Sequence, residues 1–94
     1  MRITLGTKEF LVVDVSDKLD NIDDLAGTNA TFDVLLEDET VLLENQTALV
    51  DGMRVFCLVD TTAWDEGDYM LYLKFNIAPE IPRLGPLRFS VTLD

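Results

Sequence analysis

Asp65-Glu66-Gly67-Asp68-Tyr69, running directly into Met70-Leu71-Tyr72-Leu73-Lys74-Phe75-Asn76, decides how this chain is read. The first five residues give an acid, a glycine and a tyrosine at alternate positions. The next seven alternate strictly between apolar and other residues, as a half-buried strand does. Strand ends that turn a corner between packed sheets have this form. The glycine admits the sharp turn, and the tyrosine hydroxyl pins it by a hydrogen bond back to the chain. Asp65, Gly67 and Tyr69 are therefore the expected structural corner, with Tyr69, Leu71, Leu73 and Phe75 facing inward.

Outward from this corner, the apolar runs are short and spaced by turn residues, the pattern of a sandwich or barrel. Met1 to Leu5 reads as a short edge strand closed by Gly6, and Glu9 to Val15 as a second strand. Ser16 to Gly27 breaks the pattern. Leu19, Ile22 and Leu25 recur every three residues between a cap at Ser16 and a stop at Gly27, so one or two helical turns compete with a plain acidic loop. Thr28 to Glu37 resumes strand, with Phe32, Val34 and Leu36 on one face and Thr31, Asp33 and Leu35 on the other. Asp38-Glu39-Thr40 is a turn. Val41 to Glu44 and Ala48 to Val50 read as two short strands around the polar break Asn45-Gln46-Thr47. Asp51-Gly52 is a strong hairpin signal. Met53 to Asp60 is apolar on both faces except at Arg54, which predicts a central strand covered on both sides. In the loop Ile77 to Pro86, Pro79, Pro82 and Pro86 are expected to stop ladder pairing. Leu87 to Leu93 closes the chain, with Leu87, Phe89, Val91 and Leu93 inward and Arg88, Ser90 and Thr92 outward. The sum is about seven to eight strands with no repeat and no linker, an all-β chain.

The 94 residues make one domain, residues 1–94. Hydrophobic residues at 48% exclude a disordered chain. No apolar run approaches the ~20 residues of a membrane span, and Met1 leads into strand sequence without the basic and apolar regions of a signal peptide. With a net charge of −11 and only seven basic residues, the chain is not expected to bind nucleic acid or anionic membranes. The acidity fits solubility, and also a basic partner surface or bound cations. The single cysteine, Cys57, lies in an apolar run and reads as a buried structural thiol. Histidine is absent, which removes Ser-His-Asp and Cys-His catalysis and the usual zinc sites.

The remaining chemistry is sparse. Asp14, Asp17, Asp20, Asp23 and Asp24, and Glu37, Asp38 and Glu39, could lend oxygens to calcium, but lack the glycine and terminal glutamate of an EF-hand loop; solvated acidic loops are the simpler reading. Glu66 and Asp68 flank a tight turn, where both tend to face solvent rather than a sugar cleft. Asn29-Ala30-Thr31 and Asn45-Gln46-Thr47 match a short glycosylation pattern that is common by chance. No enzyme, cofactor, metal or small-molecule ligand is expected. Trp64 either fills a partner's pocket or stacks on a sugar, or caps the open end of the sandwich. The stretch from Pro79 to Pro86, with Ile81, Arg83 and Leu84, is either a stiff docking segment that loses little entropy on binding or a rigid connection.

The order of signals resembles an immunoglobulin-like antiparallel β-sandwich. Leu58 precedes Asp65-x-Gly67-x-Tyr69 much as in the second half of such domains. Leu71 stands where antibody domains carry their second cysteine, and no tryptophan marks the third strand. The resemblance thus implies a sandwich held by packing alone, and not an antibody-type or cell-surface domain. A narrower resemblance runs from about Asp24 onward: Leu25-Ala26-Gly27-Thr28 into Ala30-Thr31-Phe32-Asp33-Val34, then Gly52-x-Arg54-Val55, then Trp64-Asp65-x-Gly67-x-Tyr69, then a closing strand after a proline-rich loop. This order is similar to the small Ig-like domain that opens phage baseplate upper proteins, and to other small tail, neck and capsid-associated proteins of tailed bacteriophages. It implies a non-enzymatic structural subunit of a virion, assembled in the host bacterial cytoplasm, docking to other virion proteins and to copies of itself. The alternative is a small protein- or carbohydrate-binding module outside any virion.

Overall fold

The computed structural model describes residues 2–16, 29–75 and 83–93. Within them lie seven strands: β1 (Arg2–Thr4), β2 (Lys8–Asp14), β3 (Ala30–Leu36), β4 (Val41–Asp51), β5 (Arg54–Asp60), β6 (Gly67–Phe75) and β7 (Arg83–Thr92). The helical turns weighed for Ser16 to Gly27 fall almost wholly outside the described residues, as do Thr28, Asn76 and Ile81. The strand order is β1-β7-β6-β3-β4-β5-β2, and the sheet curls until it is nearly a barrel. Every neighbouring pair is antiparallel except β1 with β7, which runs parallel with Arg2 opposite Ser90. The sheet is therefore mixed. An all-antiparallel arrangement fails because β1 and β7 lie side by side without a hairpin to reverse one of them.

Three expectations about strands are corrected. Val41 to Val50 is one continuous strand, not two. It pairs with β3 from Val41 to Ala48 and with β5 from Leu49 to Asp51, so it belongs to both halves of the sheet. Asn45-Gln46-Thr47 does not break it. Asn45 instead takes a positive φ of 53° inside a stretch where the β3–β4 register shifts, and the chain bulges without leaving the ladder. Second, pairing does not stop before Leu87. It resumes at Arg83, opposite Lys74, with Leu84 opposite Leu73, and a register shift between Leu71 and Leu73 absorbs the irregularity. Gly85 is what lets the chain pass there. At φ 137° a Cβ would stand 2.7 Å from Tyr72 Cδ1 and 2.8 Å from the Leu71 carbonyl oxygen. Third, Leu93 lies beyond the end of β7 and is 63% exposed, not inward.

The inward set of β6 is as read: Tyr69, Leu71, Leu73 and Phe75 are all buried. They join Ile3, Leu11, Val13, Phe32, Val34, Val55, Cys57, Val59, Phe89 and Val91 in one core. The alternation of each strand delivers these side chains to the same side. Asp51-Gly52 forms the hairpin between β4 and β5, with Asp51 opposite Arg54.

The two ends of the strand order, β1 and β2, meet over Thr61, whose side chain is fully buried. Its Oγ1 accepts the Gly6 N–H at 2.9 Å and the Thr7 N–H at 3.3 Å. Its own O–H has the Thr4 carbonyl at 3.1 Å and the Thr7 carbonyl at 3.3 Å as acceptors. The Glu9 carboxylate accepts the Thr4 N–H at 2.9 Å. Four main-chain groups of this turn thus find partners in side chains of β2 and of the residue after β5.

Candidate functional site

The corner that opens β6 has the expected geometry. Tyr69 O–H donates to the Asp65 carbonyl at 2.5 Å, and Gly67 sits at φ 151°, a region that favours glycine. Burial pushes the Tyr69 hydroxyl pKa up. Trp64 is half-buried and packs on this corner, 4.9 Å from the Tyr69 ring and 6.4 Å from Phe89. Tyr69 in turn stacks on Phe89 at 5.6 Å. The indole is thus committed to the molecule's own aromatic cluster, as a cap on its end. Of the proline-rich stretch, Leu84 is half-buried against the core and Arg83 sits in the β6–β7 ladder. Ile81 lies outside the described residues. The structure therefore places Trp64 and Leu84 against the core.

The carboxylates are separately engaged. Glu66 accepts the Leu93 N–H at 3.2 Å and Asp68 accepts the Ser90 hydroxyl at 2.9 Å. Asp38 caps the Thr40 N–H at 3.0 Å, and its hydrogen bonds to Thr40 hold its pKa below the usual carboxylate range. Glu37 pairs with Arg88 at 2.7 Å. Among the described residues no three Cys, Asp or Glu side chains converge as a metal site would require. Cys57 is fully buried in β5, and burial pushes its thiol up to about 12, which keeps it from acting as a nucleophile near neutral pH.

The two outer faces of the curled sheet differ sharply. On the face made by β1, β7, β6, β3 and the first part of β4, polar groups are stitched across strands. Arg2 Nε donates to Thr92 Oγ1 at 2.8 Å, and Arg88 reaches Glu37. Asp33, buried despite its charge, holds Lys74 Nζ at 3.0 Å and accepts the bulged Asn45 N–H at 2.8 Å. Lys74 also donates to Asn45 Oδ1 at 3.1 Å. A buried carboxylate survives only with such partners. Here it also fixes the bulge.

On the other face, made by β2, β5 and the end of β4, the outward residues are apolar. Phe10 lies opposite Leu58, Val12 opposite Phe56, and Phe56 opposite Leu49. Phe10, Val12, Leu49 and Leu58 are 49%, 46%, 60% and 44% exposed. Phe56 is half-buried, edge-on to Phe10 at 6.2 Å between centroids. Charges sit only at the two ends: Lys8 opposite Asp60, and Asp14 opposite Arg54. Hydrogen bonds from Thr62 hold the Asp60 pKa low, with Lys8 adding to the effect. The reading of Met53 to Asp60 as covered on both sides is thus corrected. Val55, Cys57 and Val59 are buried, while Arg54, Leu58 and Asp60 on the other side are exposed. The signal for this face was present in the sequence, since Phe10 and Val12 put apolar side chains on the second side of β2 as well. No family model, no curated protein and no solved structure matches the chain.

Proposed function

We propose that the chain is an immunoglobulin-like β-sandwich that serves as a non-enzymatic docking subunit of a bacteriophage virion. The finer fold reading is supported by connectivity. In Ig-like domains, strands B, E and D share one sheet and strands C, F and G the other. The runs β2-β5-β4 and β3-β6-β7 in the strand order match those sets, with β4 bonded to both β3 and β5, and the corner tyrosine stands at the start of the strand that would be F. The virion reading is supported by the resemblance of the Asp24-to-end pattern to small phage tail and neck proteins.

One observation carries the docking mechanism: the contiguous apolar face of Phe10, Val12, Leu49, Phe56 and Leu58, on a chain whose other face carries cross-strand polar pairs. Exposed apolar patches rimmed by charge mark contact surfaces. A charge of −11 per copy keeps the remaining surface wet and unattached. The experiment is mass spectrometry of purified particles from the phage whose genome encodes the chain. The chain is expected at a fixed stoichiometry, and Phe10→Lys is expected to remove it from particles while leaving it folded. Particles that assemble without the chain in cells that express it overturn the reading.

A further inference from the structure

We infer that β2 is a self-complementary edge, and that two copies of this chain join by antiparallel pairing of β2 with β2 about a two-fold axis at Leu11. Among the described residues, β2 has one neighbour, β5, and its other side takes no strand. The ladder fixes which groups face that side. Val15 N–H donates to the Met53 carbonyl and Thr61 N–H to the Thr7 carbonyl, so the odd-numbered residues of β2 bond to β5. The N–H and C=O groups of Lys8, Phe10 and Val12 therefore point to the open side, where alternation in an antiparallel ladder puts them.

Natural edges are blunted by bulges, prolines, shortness or inward charge. The open edge of β4 carries the Asn45 bulge, and β1 is only three residues long. β2 is the least protected: it has seven residues, no glycine or proline and an unbroken register, and its one inward charge, Glu9, sits near one end and is engaged by the Thr4 N–H of its own chain.

Its sequence, Lys8-Glu9-Phe10-Leu11-Val12-Val13-Asp14, selects the second copy as partner. Centred on Leu11, an antiparallel pair sets Lys8 against Asp14 of the second copy, and Asp14 against its Lys8. Phe10 then meets Val12 on the same outer face. All four pairs are of the hydrogen-bonded kind, giving about eight main-chain bonds, near the ~10 of an ordinary interface. A shift of two residues either way sets a charge against Phe10 or Val12 and loses both ion pairs. Asp14 is engaged within its own chain, its Oδ1 accepting the Ser16 N–H at 2.9 Å among other contacts, and a carboxylate with about four lone-pair sites can take an ammonium in addition. The interface is isologous and closes after two copies. It sets the apolar faces of two copies side by side and concerns the isolated chain, so a virion found to lack the protein leaves it standing.

The test is sedimentation equilibrium of the purified chain from about micromolar to about millimolar concentration, in about 0.15 M salt, where the screening length is about 8 Å. The expected mass rises from 10.6 kDa to twice that. Hydrogen exchange at the Phe10 and Val12 amides should slow with concentration, while the Leu11 and Val13 amides, already bonded to β5, stay unchanged. Lys8→Asp should weaken association at least about tenfold by facing like charges across the seam, and adding Asp14→Lys should restore it. Val12→Pro, which deletes an outward donor without touching the β5 ladder, should abolish it. A monomer at every concentration overturns the inference. So does association that Lys8→Asp leaves unchanged, or that protects no outward amide.

Discussion

Replacing Thr61 by valine keeps the shape of a fully buried side chain and deletes the hydroxyl on which the β1–β2 turn is hung. Three hydrogen bonds go: those accepted from Gly6 N–H and Thr7 N–H, and the one donated to the Thr4 carbonyl. Each is worth about 1 kcal/mol net in a part-buried site. The extra methyl of valine offsets about 0.8 kcal/mol. The expected loss is about 2 kcal/mol. With a urea slope of about 1 kcal/mol per molar for so small a domain, the unfolding midpoint should fall by about 2 M. Thr61→Ser supplies the control. It retains the hydroxyl and removes only a buried methyl, at about 1 kcal/mol. Urea unfolding followed by circular dichroism distinguishes the two. A valine variant as stable as the serine variant, or more so, would refute the view that the hydroxyl ties the ends of the sheet together.

Tyr69→Phe removes the bond to Asp65 and should cost about 1 kcal/mol; an unchanged urea midpoint would mean the corner is held by ring packing alone. Lys74→Met leaves the buried Asp33 carboxylate without its ammonium and should cost about 2 kcal/mol, with partial recovery when Asp33→Asn is added. Strict additivity in that double-mutant cycle would show the pair to be uncoupled. Because the chain carries −11, raising salt to about 0.15 M should raise the midpoint by screening self-repulsion, and a fall would count against it. Burial holds the Cys57 thiol up to about 12 from its ordinary 9.0. Above pH 9.0 the unfolded thiol ionises while the folded one cannot, so stability present below that pH is lost progressively toward about 12. Cys57→Val should flatten that decline, and an identical alkaline profile would rule the thiol out as its source.

The features that could be read from residues alone are those set by local chemistry. The corner at Asp65 to Tyr69, the Asp51-Gly52 hairpin and the inward set of β6 follow from turn residues and a period of two, which need no knowledge of the rest of the fold. The continuity of β4 is hidden in the sequence because Asn45-Gln46-Thr47 is polar for a reason other than a break: those residues are exposed at a bulged edge, where water suits them. The outer face of β5 is not legible in the sequence, because an apolar second side says only that something covers it. It does not say that the cover comes from the same chain. Pairing at Arg83 and Leu84 is masked by the prolines, yet proline forbids a donor at one position only, and a register shift absorbs the irregularity. Thr61 carried no signal at all. A threonine after a strand is ordinary, and only the meeting of β1 and β2 makes its hydroxyl indispensable.

The change of partner within β4, between Ala48 and Leu49, bears on how the molecule comes apart. A fold whose two halves share no strand can peel one half while the other persists. Here a single rod bonds to both halves of the sheet. Separating β5 and β2 strips the end of β4, and losing β3 strips its beginning. Melting should therefore be all-or-none, with no half-folded species, and the resistance of the whole domain to unfolding should be set by the grip on that one rod.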